Sequence, residues 1–377
     1  MIVDSGDLFN EDEEIPESVE KSAKLKAELF VDIYKAIGID AVNVGELDLV
    51  LGIDYLKELS AKHDFPLVSA NLVGADGKPI FKPYVIAKAG GKNIGIMGLM
   101  GDTSGLPAKV GEITGGAATV TDAVKAAEAV VAELTGKVDY IIALTHEQAN
   151  RDWVIARRVK GVNLVVGGHD KQRTPDALET DTSQIVRAGE KGQYQGMFEV
   201  DLDDKSFTNE LFPYGDDVGS DPKIKAMLTA YNDKVAEMYS GGASAGVNPA
   251  ANVELRSEKC GMCHADALAK WKATNHAKAY ATLVDKAKNY DPKCLSCHTV
   301  LFEKPGGFNM TQQQMELVNV QCESCHGDAS AHLGDMSQKP AKPTIQTCVT
   351  CHDTEDRKKD AFLKNETLAM EKIKHTK

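Results

Sequence analysis

The sequence C-x-x-C-H occurs four times, at Cys260/Cys263/His264, Cys294/Cys297/His298, Cys322/Cys325/His326 and Cys348/Cys351/His352, and it uses all eight cysteines of the chain. Each copy has the form of a c-type haem attachment site: two thiols form thioethers with the porphyrin vinyl groups, and the adjacent histidine becomes an axial iron ligand. The two-residue gap lets both sulfurs reach one macrocycle while the imidazole turns onto the iron. Structural zinc, a redox dithiol and a disulfide framework are the rival readings of a single copy. Four copies with no stray cysteine select haem over all three. The expected cofactor set is four haem c.

Around these motifs aromatic and branched residues are sparse beyond Val253. Such a segment can still fold, because porphyrins form much of the apolar core of a small multihaem domain. It is expected to be mainly α-helical and loop-rich, with helices over 266–288 and 311–318 and loops at 305–307 and 340–343. Of its seven histidines, four are proximal, which leaves His276, His332 and His375 as sixth ligands. One haem then lacks a local histidine. It would be five-coordinate and open, or take Met262, Met310 or Met336, or borrow His63, His146, His169 or a histidine from another copy of the chain.

The chain has 377 residues and a net charge of −13, enough length for two domains with separate cores. The charge is uneven: the residues from Ala251 onward carry a net +2, and those before it −15. Haem propionates would make the second part acidic too, so a basic protein surface suits this chain better than nucleic acid. No run approaches the roughly eighteen apolar residues of a membrane helix, and no leader precedes the strand-like Ile2-Val3. Covalent haem attachment normally follows export, so a periplasmic or cell-surface location is expected, with the leader upstream of Met1.

The first part alternates short apolar runs with amphipathic stretches, the pattern of a layered α/β domain over 1–218. Strand candidates are 2–3, 41–44, 67–70, 93–99, 140–144, 164–166 and 184–187, and helix candidates are 19–37, 53–62 and 121–134, the last capped by Thr121 or Asp122. Strand ends are where α/β proteins place chemistry. Here they carry Asp4, Asp7, Glu46, Asp48, His146, Glu147, His169 and Asp170. A further helix over 221–240 and a Gly/Ala/Ser-rich stretch from Gly241 make 219–252 a linker, and the haem domain occupies 253–377.

Val3-Asp4-Ser5-Gly6-Asp7, Gly45-Glu46-Leu47-Asp48, Ala70-Asn71-Leu72, Leu144-Thr145-His146 and Gly167-Gly168-His169 resemble, in order and spacing, the metallophosphoesterase domain of the 5'-nucleotidase and UDP-sugar hydrolase family. That family holds two metal ions with Asp, Asn and His ligands and activates water between them. The resemblance places Asp7 on the bridging metal ligand and His146 and His169 on two histidine ligands. It also shows departures. The family's Gly-Asn-His-Glu is Asn43-Val44-Gly45-Glu46 here, without the metal-binding Asn and the catalytic His. Its Gly-His-x-His is Gly168-His169-Asp170-Lys171, which puts an ammonium where an imidazole should be. The implied centre is degenerate, holding at most one weakly bound divalent metal.

The second part, over 258–353, resembles the cytochrome c-554 family, tetrahaem electron acceptors of hydroxylamine oxidoreductase. The resemblance rests on the four unequally spaced motifs, Asn275-His276-Ala277, Cys322-Glu323-Ser324-Cys325-His326-Gly327 and His332. It implies three bis-histidine haems, one five-coordinate haem and close haem pairs.

Electron transfer through four haems is the expected function. The first domain would serve as a docking or structural module, and the partners would be other cytochromes or an oxidoreductase. Reduction of a nitrogen oxide at an open haem, metal-dependent phosphoester hydrolysis, and assembly of copies into a haem filament are the alternatives.

Overall fold

The computed structural model describes residues 1–103, 105–215, 218–240 and 254–352. The stretch 241–253 and His375 lie outside the described residues. The chain divides into two compact units, one of residues 1–15 and 23–227, the other of 16–22 and 228–377.

The first unit opens with β1 (Val3–Asp4), α1 (Glu20–Ile37), β2 (Ala41–Asn43), α2 (Ile53–His63), β3 (Leu67–Val68), β4 (Leu72–Val73), β5 (Tyr84–Ala89) and β6 (Lys92–Met100). It continues through α3 (Leu106–Ile113), β7 (Thr119–Val120), α4 (Ala123–Leu134), β8 (Tyr140–His146), α5 (Ala149–Arg158), β9 (Leu164–Gly167), β10 (Leu178–Glu179), β11 (Gln184–Val186), β12 (Tyr194–Val200) and β13 (Phe207–Pro213). A parallel three-stranded sheet has the order β1-β2-β3, and a six-stranded sheet the order β10-β11-β9-β8-β6-β5. Within the larger sheet β6, β8, β9 and β11 run parallel.

Period-two alternation decides which layer each side chain joins. On β8, Tyr140, Ile142 and Leu144 meet Ala41 and Val68 of the small sheet, whereas Ile141 and Ala143 face a cluster containing Ala123, Ala127 and Ile155 of α4 and α5. On β2 and β3, Val42 and Leu67 turn instead to Ala27 and Val31 of α1 and Leu56 and Leu59 of α2. The result is helix, sheet, sheet, helix. Leu144 and Ile96 are fully buried between the sheets, each contributing about 1.5–3 kcal/mol. The sheets approach so closely at Gly98 that a Cβ there would lie 2.4 Å from Asn43 Oδ1 and Val68 O.

α4 begins where the sequence places it, with Asp122 Oδ1 accepting the Lys125 N–H at 2.9 Å. α5 is not among the expected helices, because one of the residues it buries is charged. Asp152 is fully buried, takes Thr145 Oγ1 at 2.7 Å and accepts Arg187 Nε at 2.9 Å. Such an inward carboxylate blurs the apolar stripe that periodicity detects. The two-residue strands β4, β7 and β10 are too short to show a period at all. The six-residue β5 and the seven-residue β12 and β13 are likewise absent from the expected strands, so the described strand count exceeds the expected one, while the α/β layering is as expected.

In the second unit, α6 (Pro222–Tyr239) is the longest helix, and the division between the units falls within it. Between 254 and 352 no described α-helix exceeds the eight residues of Ala265–Lys272. The expected helix over 266–288 is broken at Ala273-Thr274 and resumes as a 3-10 turn, Asn275–Lys278, followed by Ala279–Val284. The expected helix over 311–318 is reduced to the 3-10 turn Met315–Leu317. Buried Gln321 links the segments: its Oε1 accepts Ser257 N and Ser257 Oγ, both at 2.7 Å, and its Nε2 donates to Glu316 O and Val318 O.

Candidate functional sites

Each C-x-x-C-H motif forms or ends a helical turn. His264 N donates to Cys260 O at 2.9 Å and His352 N to Cys348 O at 3.0 Å, while the second and third motifs lie within Pro292–His298 and Cys322–His326. One turn puts the two thiols and the imidazole on neighbouring sides of one site. The Cys260 thiol hydrogen-bonds to Cys322, which pushes its pKa up, and Cys351 stands in the same relation to Cys297. The first motif is thus adjacent to the third, and the second to the fourth. An Arg256 Nε to Glu323 Oε2 ion pair at 3.2 Å ties the start of the helix that carries Cys260 to the third motif.

The eight motif thiols are not equally exposed. Cys263 is exposed, whereas the other seven motif cysteines are partly buried. His264 beside it is exposed as well, unlike the partly buried His298, His326 and His352. The reason is local. The first motif bridges the short helix Ser257–Gly261 and the helix Ala265–Lys272, and the latter buries none of its residues. The turn therefore stands at the surface of the protein part, with Cys260 facing the third motif and Cys263 facing out. A thiol so placed can still form a thioether.

Two histidine rings outside the motifs face rings inside them. His332 lies with its centroid 6.2 Å from that of His264, and His276 lies 6.3 Å from His352. A metal bonded to two opposed imidazole nitrogens, about 2 Å from each, sets ring centroids about 6 Å apart. The spacing therefore fits an iron between each pair. Backbone carbonyls orient three rings as the outer partners of metal-bound histidines do: Nδ1 of His298, His326 and His332 meets Ala279 O, Ala341 O and Gln338 O at 2.7, 2.8 and 2.8 Å. With Nδ1 so engaged, Nε2 is left to ligate. Of the three candidate methionine ligands, Met310 is buried and Met262 and Met336 are exposed.

In the first unit, Asp7, Glu46, His146 and His169 converge, one ligand atom of each lying within 4.8 Å of the others. His146 ends β8, and Asp7, Glu46 and His169 follow the carboxyl ends of the parallel strands β1, β2 and β9. His146 Nδ1 meets Ser5 O at 2.9 Å, which directs Nε2 into the cluster. There it lies 2.9 Å from Glu46 Oε2, 3.1 Å from Asp7 Oδ2 and 3.4 Å from His169 Nδ1. Glu46 Oε1 lies 3.5 Å from His169 Nδ1. Four donors about 2.0–2.1 Å from a tetrahedral ion would be about 3.4 Å apart. Glu46 Oε2, though in ion-pair contact with His146, is buried and accepts no well-aligned hydrogen bond. These observations fit one divalent ion held by two imidazoles and two carboxylates.

The backbone and the charges around the cluster are correspondingly constrained. Asp7 and His169 adopt positive φ, 57° and 66°, conformations that persist only where surrounding structure enforces them. Burial disfavours ionised Glu46, yet the close imidazoles of His146 and His169 hold its carboxyl well below the usual range. Burial likewise opposes imidazolium at His146, and Asp7 and Glu46 reverse this, holding its pKa well above the ordinary value. A bound cation would take over the role of that proton.

The structure brings together all three metal ligands named from the sequence and adds Glu46, already noted there as a strand-end carboxylate. The other strand-end residues go elsewhere. Asp4 accepts Tyr34 O–H at 2.8 Å, and Asp48 accepts the N–H groups of Asp7, Phe9 and Gly45. Asp170 accepts Ala149 N, and Glu147 lies 3.6 Å from Arg151 Nε. Asn71 is spent on the backbone, bonding Met100 and Thr121. Gly45 stands at the position of the family's catalytic histidine, and a Cβ there would fall 2.2 Å from Asp7 Oδ1. The Asp7 carboxylate fills the space such a side chain needs.

Residues 259–327 match the family model described as cytochrome c554 and c-prime. Cytochrome c-554 of Nitrosomonas europaea is 36% identical over 93 residues, covering 21% of this chain and 40% of that protein. A trifunctional nucleotide phosphoesterase of Bacillus subtilis is 24% identical over 285 residues, covering 63% of this chain and 19% of that protein. The solved 5'-nucleotidase precursor of Thermus thermophilus superposes with a TM-score of 0.52 at 23% identity, covering 62% of this chain and 49% of that one. The chain spans two fifths or less of the length of these two curated relatives. It joins a metallophosphoesterase-like α/β segment to a cytochrome c554-like segment. Among the described residues no helix is long and apolar enough to cross a membrane.

Proposed function

We propose that the chain is a multihaem electron carrier of the periplasm or cell surface, with four haem c attached at Cys260/Cys263, Cys294/Cys297, Cys322/Cys325 and Cys348/Cys351 and with His264, His298, His326 and His352 as proximal ligands. The observation that carries this reading is the pair of facing imidazoles, His264 with His332 and His276 with His352, each at the spacing of two axial ligands. Bound haem supplies reversible one-electron chemistry at iron. The chain's part is to hold the imidazoles and to fix the distances between sites. His332 and His276 would supply the second imidazole at the first and fourth sites when haem is bound. The adjacency of the first motif to the third, and of the second to the fourth, keeps the electron path short. His375 is a candidate for a further sixth position.

Residues 1–218 then form the metallophosphoesterase-like module, 219–252 the linker and 253–377 the haem domain. In this reading the module docks redox partners, other cytochromes or an oxidoreductase, and its cluster of Asp7, Glu46, His146 and His169 holds one divalent ion without hydrolysing phosphoesters. The side chain missing at Gly45 supports the latter point.

Low-temperature electron paramagnetic resonance of the oxidised protein, with a pyridine haemochrome count, tests the haem assignment. Four haems per chain are expected, with low-spin signals that diminish by about one haem in each of His276→Ala and His332→Ala. Fewer than four haems, or low-spin signals untouched by both substitutions, would overturn it.

A further inference from the structure

The metal-ligand cluster already contains a cation supplied by the chain. Lys109, on α3, places Nζ 3.3 Å from Glu46 Oε1 and 2.9 Å from Glu13 Oε1. Its side chain is only 28% exposed, and that of Glu46 only 2%. This ammonium is therefore no ordinary surface charge: it reaches a carboxylate that has left solvent, where screening is weak. Glu46 in consequence has positive or proton-bearing neighbours on both oxygens, the His146 ring on Oε2 and Lys109 with His169 on Oε1.

A carboxylate so placed could bridge two metal ions, one on each oxygen. Here one of the two positions is taken by a group that carries one positive charge, cannot leave and offers no lone pair while protonated.

We propose that Lys109 is a resident cation that limits this pocket to a single divalent ion and lowers the affinity for it. The proposal rests on the cluster being a metal site, and it adds what sets the number of ions. Lys109 acts as a positioning residue: it touches a ligand, Glu46, and bears on the ion through charge. Glu13, 70% exposed, anchors the ammonium from outside, so that Lys109 spans from solvent to the buried ligand.

The test is equilibrium dialysis and calorimetry with Zn2+ and Mn2+ on the full haem-loaded chain. The parent protein is compared with Lys109→Gln, Lys109→Met and Lys109→Arg, with His169→Ala to identify binding at this cluster. The expected result is one ion per parent chain, removed by His169→Ala. Affinity should rise at least tenfold in the neutral variants, with a second ion entering at higher concentration, and stay within about threefold of the parent in Lys109→Arg. Neutral variants that bind one ion with parent affinity, or more weakly, would overturn the role of Lys109 while leaving the metal site standing. Absence of any ion from the parent and all variants would remove the metal site itself, and this inference with it. Two neutral replacements are used so that one that fails to fold does not decide the matter.

Discussion

In the first unit, apolar clusters made wholly of side chains lie between and outside two sheets and hold the strand ends that carry Asp7, Glu46, His146 and His169. In the second, the described helices between 254 and 352 are short, and its buried residues are divided between such short helices, as Tyr280 and Leu295 are, and the loop that carries Phe308 and Met310. The difference concerns what completes each core. A side-chain core stands without its ligand, so the first unit can lose metal-site residues and keep its fold. A core completed by four haems, as proposed for the second unit, would have no such freedom.

The largest expected effect comes from withholding the macrocycles. Replacing all eight motif cysteines by alanine, so that no haem is covalently attached, should abolish the folding transition of residues 254–352 while leaving that of the first unit. Limited proteolysis reads this directly: cleavage throughout the second unit is expected, with a stable fragment corresponding to the first. Protection of 254–352 equal to that of the haem-loaded protein would break the comparison.

Next is the buried ion pair of the first unit. Asp152→Asn leaves the guanidinium of Arg187 buried without its counter-charge, and breaking such pairs costs about 3–5 kcal/mol. The loss should appear as a lower urea midpoint for hydrogen exchange of β8 amides, with the haem absorption spectrum unchanged. A comparable change in that spectrum would mean that the two cores do not stand separately.

Gly45→His sharpens the same contrast within the site. Restoring the imidazole that the resembling family carries forces a side chain onto the Asp7 carboxylate, and overpacking of this kind costs about 1–3 kcal/mol. Loss of Zn2+ binding and no hydrolysis of 5'-nucleotides are the expected results. Phosphatase activity in this variant would show that a single residue separates the module from an enzyme.

The haem motifs, the long strands β6 and β8 and the helices α1, α2 and α4 were legible in the sequence because each carries a strong local signal: a motif, a run of apolar residues or a capped amphipathic stripe. The exposure that sets Cys263 apart was not, since a motif repeats the same letters wherever it lies in the fold. Three of the four cluster residues were legible through their segments after β1, β8 and β9. Glu46 was visible as a strand-end carboxylate, but its role was not, since the neighbouring Val44 and Gly45 depart from the pattern. The break at Ala273-Thr274 was not legible. Neither residue is a strong helix breaker, and the turn is tied down by long-range bonds, Trp271 Nε1 to Val320 O at 2.7 Å and Val320 N to His276 O at 3.2 Å.

The sharpest difference between sequence and structure concerns which lysine enters the cluster. Chain order places Lys171 where a ligand imidazole should be, two residues after His169. In the structure Lys171 has φ of 56° and turns outward, its Nζ 3.2 Å from Glu190 Oε2 with the side chain 67% exposed. The ammonium inside comes from Lys109, sixty-three positions along the chain from Glu46, on a helix that sequence periodicity did not reveal. Proximity in sequence is a poor guide here because the loop after β9 reverses direction through left-handed residues, so alternate side chains diverge. The smallest predicted effect follows. An exposed ion pair contributes about 0–1 kcal/mol, so Lys171→Met should leave stability within that range and Zn2+ affinity at the parent value. A tenfold change in affinity from Lys171→Met would place the wrong lysine in the site.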